Sequence, residues 1–156
     1  MKKYLITGGC GFIGSNFIHH LIENELSDQI VNLDKITYAG NRENLASVEK
    51  NDKYHFIKGD ICNQEIIQKI LEKYKPEMIV HFAAESHVDR SIDGPAEFIQ
   101  TNVVGTLNLL NESNRWFKKL DSKTKNNFRF IHVSTDEVYG SLGEKGKFLE
   151  TTPYDP

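Results

Sequence analysis

The chain has 156 residues, 38% hydrophobic, 26% charged and 10% aromatic, an ordinary globular composition at a length that fits one domain and buries a core without disulfide or metal staples. Its 19 basic and 22 acidic side chains leave a formal net charge of −3, which lacks the basic excess that nucleic-acid phosphates demand, and no apolar run reaches the roughly 18 residues of a membrane-spanning helix. Two cysteines without a C-x-x-C pair, and an opening segment without a secretory pattern, make a reducing cytoplasm the expected compartment. Short β-branched runs then alternate with stretches of helical period. Strands are expected at residues 4–7, 30–34, 54–58, 78–82 and 128–134. A helix over 12–24 carries Ile13, Phe17, Leu21 and Ile22 on one stripe. A second over 63–74 repeats Ile66, Ile67, Ile70, Leu71 and Tyr74 at three- and four-residue spacing, with Asn63 placed to cap it. A long helix over 95–118 directs Ile99, Val103, Leu107 and Leu110 toward the sheet. The lysine-rich stretch 118–127 reads as a solvated loop, and the glycine- and proline-punctuated tail 140–156 as a mobile loop over the sheet's end.

The first strand runs into Thr7-Gly8-Gly9-Cys10-Gly11-Phe12-Ile13-Gly14, with Gly8, Gly11 and Gly14 spaced as G-x-x-G-x-x-G. Such a loop uses glycine for a tight turn, for close approach of backbone to a pyrophosphate, and for packing of helix on strand, while the helix N-terminus beyond it offers N–H groups to an anion. Twenty residues after Gly14, at the end of the second strand, Asp34 can accept hydrogen bonds from adenosine ribose hydroxyls and would repel a 2′-phosphate, which favours NAD over NADP. Lys35 beside it weakens that preference, and a simple turn residue is the competing reading of Asp34. The fold expected is α/β, a Rossmann-type parallel sheet of five strands with helices on both faces. Cys10 reads as a small filler in the loop. Neither cysteine nor the six histidines show metal-ligand spacing, so no metal is expected.

Further along stand L-D-K-I-T-Y-A-G-N at 33–41, G-D-I at 59–61, H-F-A-A-E-S-H-V-D-R-S at 81–91, T-N at 101–102 and S-T-D-E-V-Y-G at 134–140. In these segments the chain resembles the extended short-chain dehydrogenase/reductases and, more closely, the dTDP-glucose 4,6-dehydratases among them, over essentially its whole length. The resemblance implies an NAD site lined, beside the glycines, by Phe12, Ile13, Asp34, Lys35, Ile36, Thr37, Asp60, Ile61, Phe82, Ala83, Ala84, Ser86 and Thr101, with Asp60 addressing the adenine. It implies that Ser86 and Thr135 also touch substrate, Thr135 holding the sugar hydroxyl that is first oxidised. The partners implied are dTDP-glucose or a similar sugar nucleotide and, for the complete enzyme, a second copy in a homodimer, with no nucleic acid and no membrane.

The reaction so implied belongs to deoxysugar biosynthesis: NAD takes a hydride from C-4, water is lost across C-5 and C-6, and the hydride returns at C-6. Elimination needs a base for the C-5 proton and an acid for the departing hydroxyl, opposite tasks for two differently tuned carboxyls. The resemblance assigns Asp136 as the acid and Glu137 as the base. By spacing alone, a turn cap with an acid in its first turn explains the same pair. His87, Asp89 and Arg90 yield no role; an ion pair, a solvated turn and a substrate contact all stay open. The family also uses a Tyr-x-x-x-Lys helix. Here Y-x-x-x-K occurs only at Tyr54 to Lys58, in the third expected strand, where four residues span roughly 13 Å rather than one helical turn. Residues 1–156 are therefore expected to form an NAD(P)-binding domain ending before that helix, without the sugar-nucleotide domain and without turnover in isolation. Two rivals remain: another NAD-dependent sugar-nucleotide enzyme, a 4-epimerase or a UDP-sugar dehydratase, and a catalytically silent NAD-binding module. The Asp136–Glu137 pair argues for elimination over epimerisation, which expels no water.

Overall fold

The computed structural model describes residues 2–156, Val88 through its backbone only. Five strands, β1 (Lys2–Thr7), β2 (Ser27–Asp34), β3 (Tyr54–Lys58), β4 (Met78–His81) and β5 (Arg129–His132), form one parallel sheet in the order β3-β2-β1-β4-β5. The chain winds outward from β1 to β3, then returns across β1 to place β4 and β5 on its other side. The reversal lies between β1 and β4, so the loops leaving their carboxyl ends diverge and open a crevice there.

Both faces of the sheet are covered, which is why its strands read as nearly continuous apolar runs. Alternation sends Ile6 and Ile30 to one face, under Ile18 and Leu21 of α1 (Phe12–Glu23), and Leu5, Val31, Leu33 and Ile79 to the other. There they meet Ile67, Ile70 and Leu71 of α2 (Gln64–Tyr74). Asn63 caps α2 as expected, its side chain accepting from the N–H groups of Glu65 and Ile66 at 3.0 and 3.3 Å.

Three expectations need correction. In α1 the inward stripe is Gly14, Ser15, Ile18 and Leu21, with Phe17 and Ile22 at its margin, while Ile13 is 60% exposed. The glycine loop brings the start of this helix to the sheet's edge, so its first turn faces the crevice instead of the core. The long helix runs unbroken from Pro95 to Lys119, as α4 (Pro95–Phe98), a π-helical segment over Ile99–Gly105 and α5 (Thr106–Lys119), with a separate α3 (Val88–Asp93) before it. Its stripe of Ile99, Val103, Leu107 and Leu110 is exposed, at 44–59% of each residue's surface, and Gly105, Leu109, Glu112 and Ser113 face inward instead. Gly105 decides this: a Cβ there would sit 2.7 Å from the Ile61 side chain, so only glycine lets the helix approach so closely. The buried Glu112 carboxylate is accommodated because Gln68 Nε2 and Arg115 Nη1 donate to it at 2.9 and 2.6 Å. Finally, the lysine-rich stretch is not all loop: Asp121 accepts from the Thr124 N–H at 3.0 Å and caps α6 (Ser122–Asn127).

The tail beyond Gly140 has neither helix nor strand. It folds back by stacking Phe148 and Tyr154 on Tyr139, with ring centroids 5.2 and 5.5 Å away, and by an Asp155 N–H bond to the Val138 carbonyl at 3.0 Å.

Candidate functional site

A cleft of about 950 Å3 opens at the carboxyl ends of β1, β2, β4 and β5. Gly8, Gly11, Phe12, Ile13, Gly14, Asp34, Lys35, Thr37, Asp60, Ile61, Phe82, Ala83, Ala84, Ser86, Thr101, Thr135, Asp136 and Glu137 all line it. Ile36 does not. It packs at the margin of the core with φ +58°, a left-handed conformation that its branched side chain disfavours, and its N–H is held by Asp34 Oδ1 at 2.8 Å.

Each glycine of the motif has its own reason. Gly8 turns with φ +72°, and a Cβ there would lie 2.6 Å from the Ala83 nitrogen. At Gly14 a Cβ would meet the Gly8 carbonyl oxygen at 2.4 Å, so this glycine lets α1 close onto the loop. At Gly11 a Cβ would meet nothing nearer than the Gly8 oxygen at 3.4 Å: it would occupy the cleft itself. No side chain caps α1 and its first turn has no acid, which leaves its N-terminus open to an anion in that space. The cradle fits a dinucleotide's pyrophosphate.

Polar groups behind the loop hold this shape. Asn32, fully buried on β2, accepts from the Gly9 N–H at 3.1 Å and donates to the Tyr54 hydroxyl at 2.9 Å. Asp34, 8% exposed, accepts from the Cys10 N–H at 2.8 Å through its other oxygen, so it braces the glycine loop and the loop after β2 together. Burial, reinforced by the Asp34 charge, pushes the Cys10 thiol up to about 11, which keeps it an inert filler. Beyond the end of β3, Asp60 pairs with Lys35 at 2.9 Å and accepts from the Cys62 N–H at 2.8 Å. Partial burial opposes its charge, but these two partners outweigh that and hold the carboxyl below its ordinary value.

On the other wall, the π-helical segment brings the adjacent Thr101 and Asn102 both to the cleft, and Asn102 clamps the Glu85 backbone by accepting from its N–H and donating to its carbonyl, each at 2.8 Å. His81, fully buried at the end of β4, lies 2.6 Å from Thr7 Oγ1 and 2.9 Å from Thr106 Oγ1, under the His132 ring at 4.9 Å. Burial, and then the neighbouring His132, lower its pKa to about 4, so the ring is neutral. His81 and Asn102 stand in the segments that carry the resemblance but had no role there, and Asn32, Thr106 and His132 were not singled out by sequence; the signal for Asn32 and His81 was a polar residue inside an apolar strand, in I-V-N-L and I-V-H-F.

Past β5, Thr135 caps a short 3-10 turn over Asp136–Tyr139, its Oγ1 accepting from the Glu137 N–H at 3.2 Å and lying 3.5 Å from Glu137 Oε2. The cap is thus Thr135 and not Asp136. Capping and cleft-lining coexist, because Thr135, Asp136 and Glu137 all border the cleft while the first of them caps the turn. The Tyr54 to Lys58 pair lies wholly within β3.

Comparison with known proteins places this geometry. A curated dTDP-glucose 4,6-dehydratase from Xanthomonas campestris pv. campestris (strain B100) is 53% identical over 156 residues, all of this chain and 44% of that protein. One from Escherichia coli (strain K12) is 50% identical over 99% of this chain and 45% of its own length. The chain therefore spans under half the length of these relatives. The crystal structure of DesIV (dTDP-glucose 4,6-dehydratase) from Streptomyces venezuelae, with NAD and TYD bound, superposes with a TM-score of 0.85 at 42% identity, covering 99% of this chain and 45% of that one. A Thermus thermophilus UDP-glucose 4-epimerase in complex with NAD reaches 0.80 at 27% identity, covering 99% of this chain and 44% of that one, so the sheet and cradle extend beyond the dehydratases. The family described as GDP-mannose 4,6 dehydratase matches residues 5–156, and the chain belongs to that family.

Proposed function

We propose that this chain supplies the NAD-binding half and the elimination carboxyls of a dTDP-glucose 4,6-dehydratase. The observation that carries the reading is the presence of Thr135, Asp136 and Glu137 in the same cleft as the dinucleotide cradle. Bound NAD would supply the hydride acceptor for C-4 and the donor for C-6. The residues of this chain bind, position and carry the elimination: the glycine loop and α1 seat the pyrophosphate, Asp34 meets the ribose hydroxyls, Asp60 the adenine, and Ser86 and Thr135 the sugar. Glu137 takes the C-5 proton and Asp136 protonates the leaving C-6 hydroxyl. A 4-epimerase would need no such pair. The tyrosine and lysine that serve sugar oxidation in the family are not among these 156 residues, so residues 1–156 act as the cofactor unit beside them.

In the protein that joins these residues to that pair, dTDP-glucose in D2O should yield a product lighter by one water and deuterated at C-5, and Glu137→Gln should abolish both. Conversion of UDP-glucose to its 4-epimer without loss of water would overturn the assignment. Homodimerisation belongs to the same reading, supported by the exposed Ile99, Val103, Leu107 and Leu110 stripe. Leu107→Glu should shift the protein toward monomer in light scattering. Among the described residues no helix is long and apolar enough to cross a membrane. The free thiols of Cys10 and Cys62 fit the reducing cytoplasm that belongs to the same reading.

A further inference from the structure

Tyr38 and Arg90 do not themselves line the cleft, but each neighbours residues that do, and the two touch. Tyr38 lies in the loop after β2, between Thr37 and Ala39, which both line the cleft; Arg90 lies in α3, beside Ser91, with Ser86 beyond the preceding turn, and these line the facing wall. The Arg90 guanidinium sits 3.8 Å above the Tyr38 ring centroid, and the His87 ring meets the same tyrosine edge-on at 6.3 Å. Among the described residues the Arg90 side chain forms no ion pair, and its guanidinium rests on the Tyr38 ring. Tyr38 is 52% exposed, so the contact is solvent-accessible, and it lies outside the lining of the cleft. β2 and β4 flank β1, so a bridge between the loops that follow them passes over the glycine loop where the pyrophosphate cradle lies.

We propose that the Tyr38–Arg90 stack is a strap that closes the cleft over the bound dinucleotide and must open for the cofactor to enter or leave. The inference rests on the NAD reading above. Each wall is braced from behind: Asn41 N–H bonds to the Cys10 carbonyl at 3.0 Å on one side, and Asn102 holds Glu85 on the other. The stack itself is a single cation–π contact, of the strength that opens often at a surface. A strap serves a reaction whose cofactor must keep a hydride between two steps at one site, because exchange with solvent between those steps would strand the oxidised sugar.

A gate differs from an ordinary binding contact in its kinetics. Losing a contact speeds release alone, whereas removing a gate speeds entry and release together. The test is stopped-flow fluorescence of NADH binding to, and displacement from, the wild-type protein and its Tyr38→Ala, Arg90→Ala and Tyr38→Phe variants. Tyr38→Ala and Arg90→Ala should each raise both rate constants about three- to tenfold with Kd changed less than either, and Tyr38→Phe should match wild type because the ring face is retained. Faster release with unchanged or slower entry would overturn the strap and make Arg90 a direct phosphate ligand; unchanged rates would overturn it outright. No binding of NADH or NAD by the wild-type protein would instead refute the NAD reading.

Discussion

Replacing Asp34 by asparagine should unsettle the fold as well as the cofactor preference. The carboxylate is 8% exposed and accepts one backbone N–H through each oxygen, from Cys10 and from Ile36, both at 2.8 Å. An asparagine of the same shape has one acceptor, so in either orientation its NH2 group confronts one of these N–H donors. Hydrogen bonds to a charged group contribute about 1.5–3 kcal/mol, and an orphaned buried N–H costs about 1–3 kcal/mol, so a loss near 2–3 kcal/mol is expected. For a chain of this length that lowers Tm by about 4–12 °C. The same substitution removes the negative charge that would confront a 2′-phosphate, so the preference for NAD over NADP should fall about tenfold or more. Urea unfolding at neutral pH and calorimetric titration with both dinucleotides measure the two effects. A stability change below about 0.5 kcal/mol would refute the bracing role, since a surface acid changes little more than that on substitution. An unchanged NAD preference would separately remove Asp34 from the ribose.

Gly14→Ala should lower NAD affinity at least about tenfold in the same titration, because its Cβ must push the Gly8 carbonyl out from 2.4 Å and so displaces the cradle; stability should change by less than about 2 kcal/mol, since alanine's helix propensity offsets part of the crowding. At Ile36, with φ +58°, Ile36→Gly should be more stable than Ile36→Ala by about 0.5–1 kcal/mol in urea, the reverse of the usual order, because relief of left-handed strain exceeds the added unfolded-state entropy. His81 is neutral when folded, with its pKa lowered from 6.5 to about 4, so protons bind the unfolded chain first and stability is lost as pH falls from about 6.5 toward 4. That component amounts to about 3 kcal/mol, and urea midpoints across this range should fall less steeply in His81→Gln; equal slopes would mean the buried ring is not the proton-linked group.

Sequence by itself determined the strand-and-helix alternation, the glycine cradle and Asp34 at the end of β2, because each rests on a local pattern: short β-branched apolar runs, glycines three apart, an acid at a strand's end; the Thr135-Asp136-Glu137 triplet was implied by the family resemblance, since spacing alone fits a turn cap equally well. Tertiary structure alone decided which face of the long helix turns inward. Hydrophobicity nominated Ile99, Val103, Leu107 and Leu110, but close approach to Ile61 requires the small Gly105, and the inward face carries Leu109 with a Glu112 whose partners come from α2 and its own helix. No periodicity reports such a fit, since it depends on the volume left by another element. The polar supports of the cleft were hidden for a related reason. Asn32 and His81 bond to groups 22 and 74 residues away in sequence, at Tyr54 and Thr7, and only the pairing of β2 with β3 and of β1 with β4 brings those partners within 3 Å. The contact of Tyr38 with Arg90 arises in the same way, from two loops made neighbours by the strand order across β1.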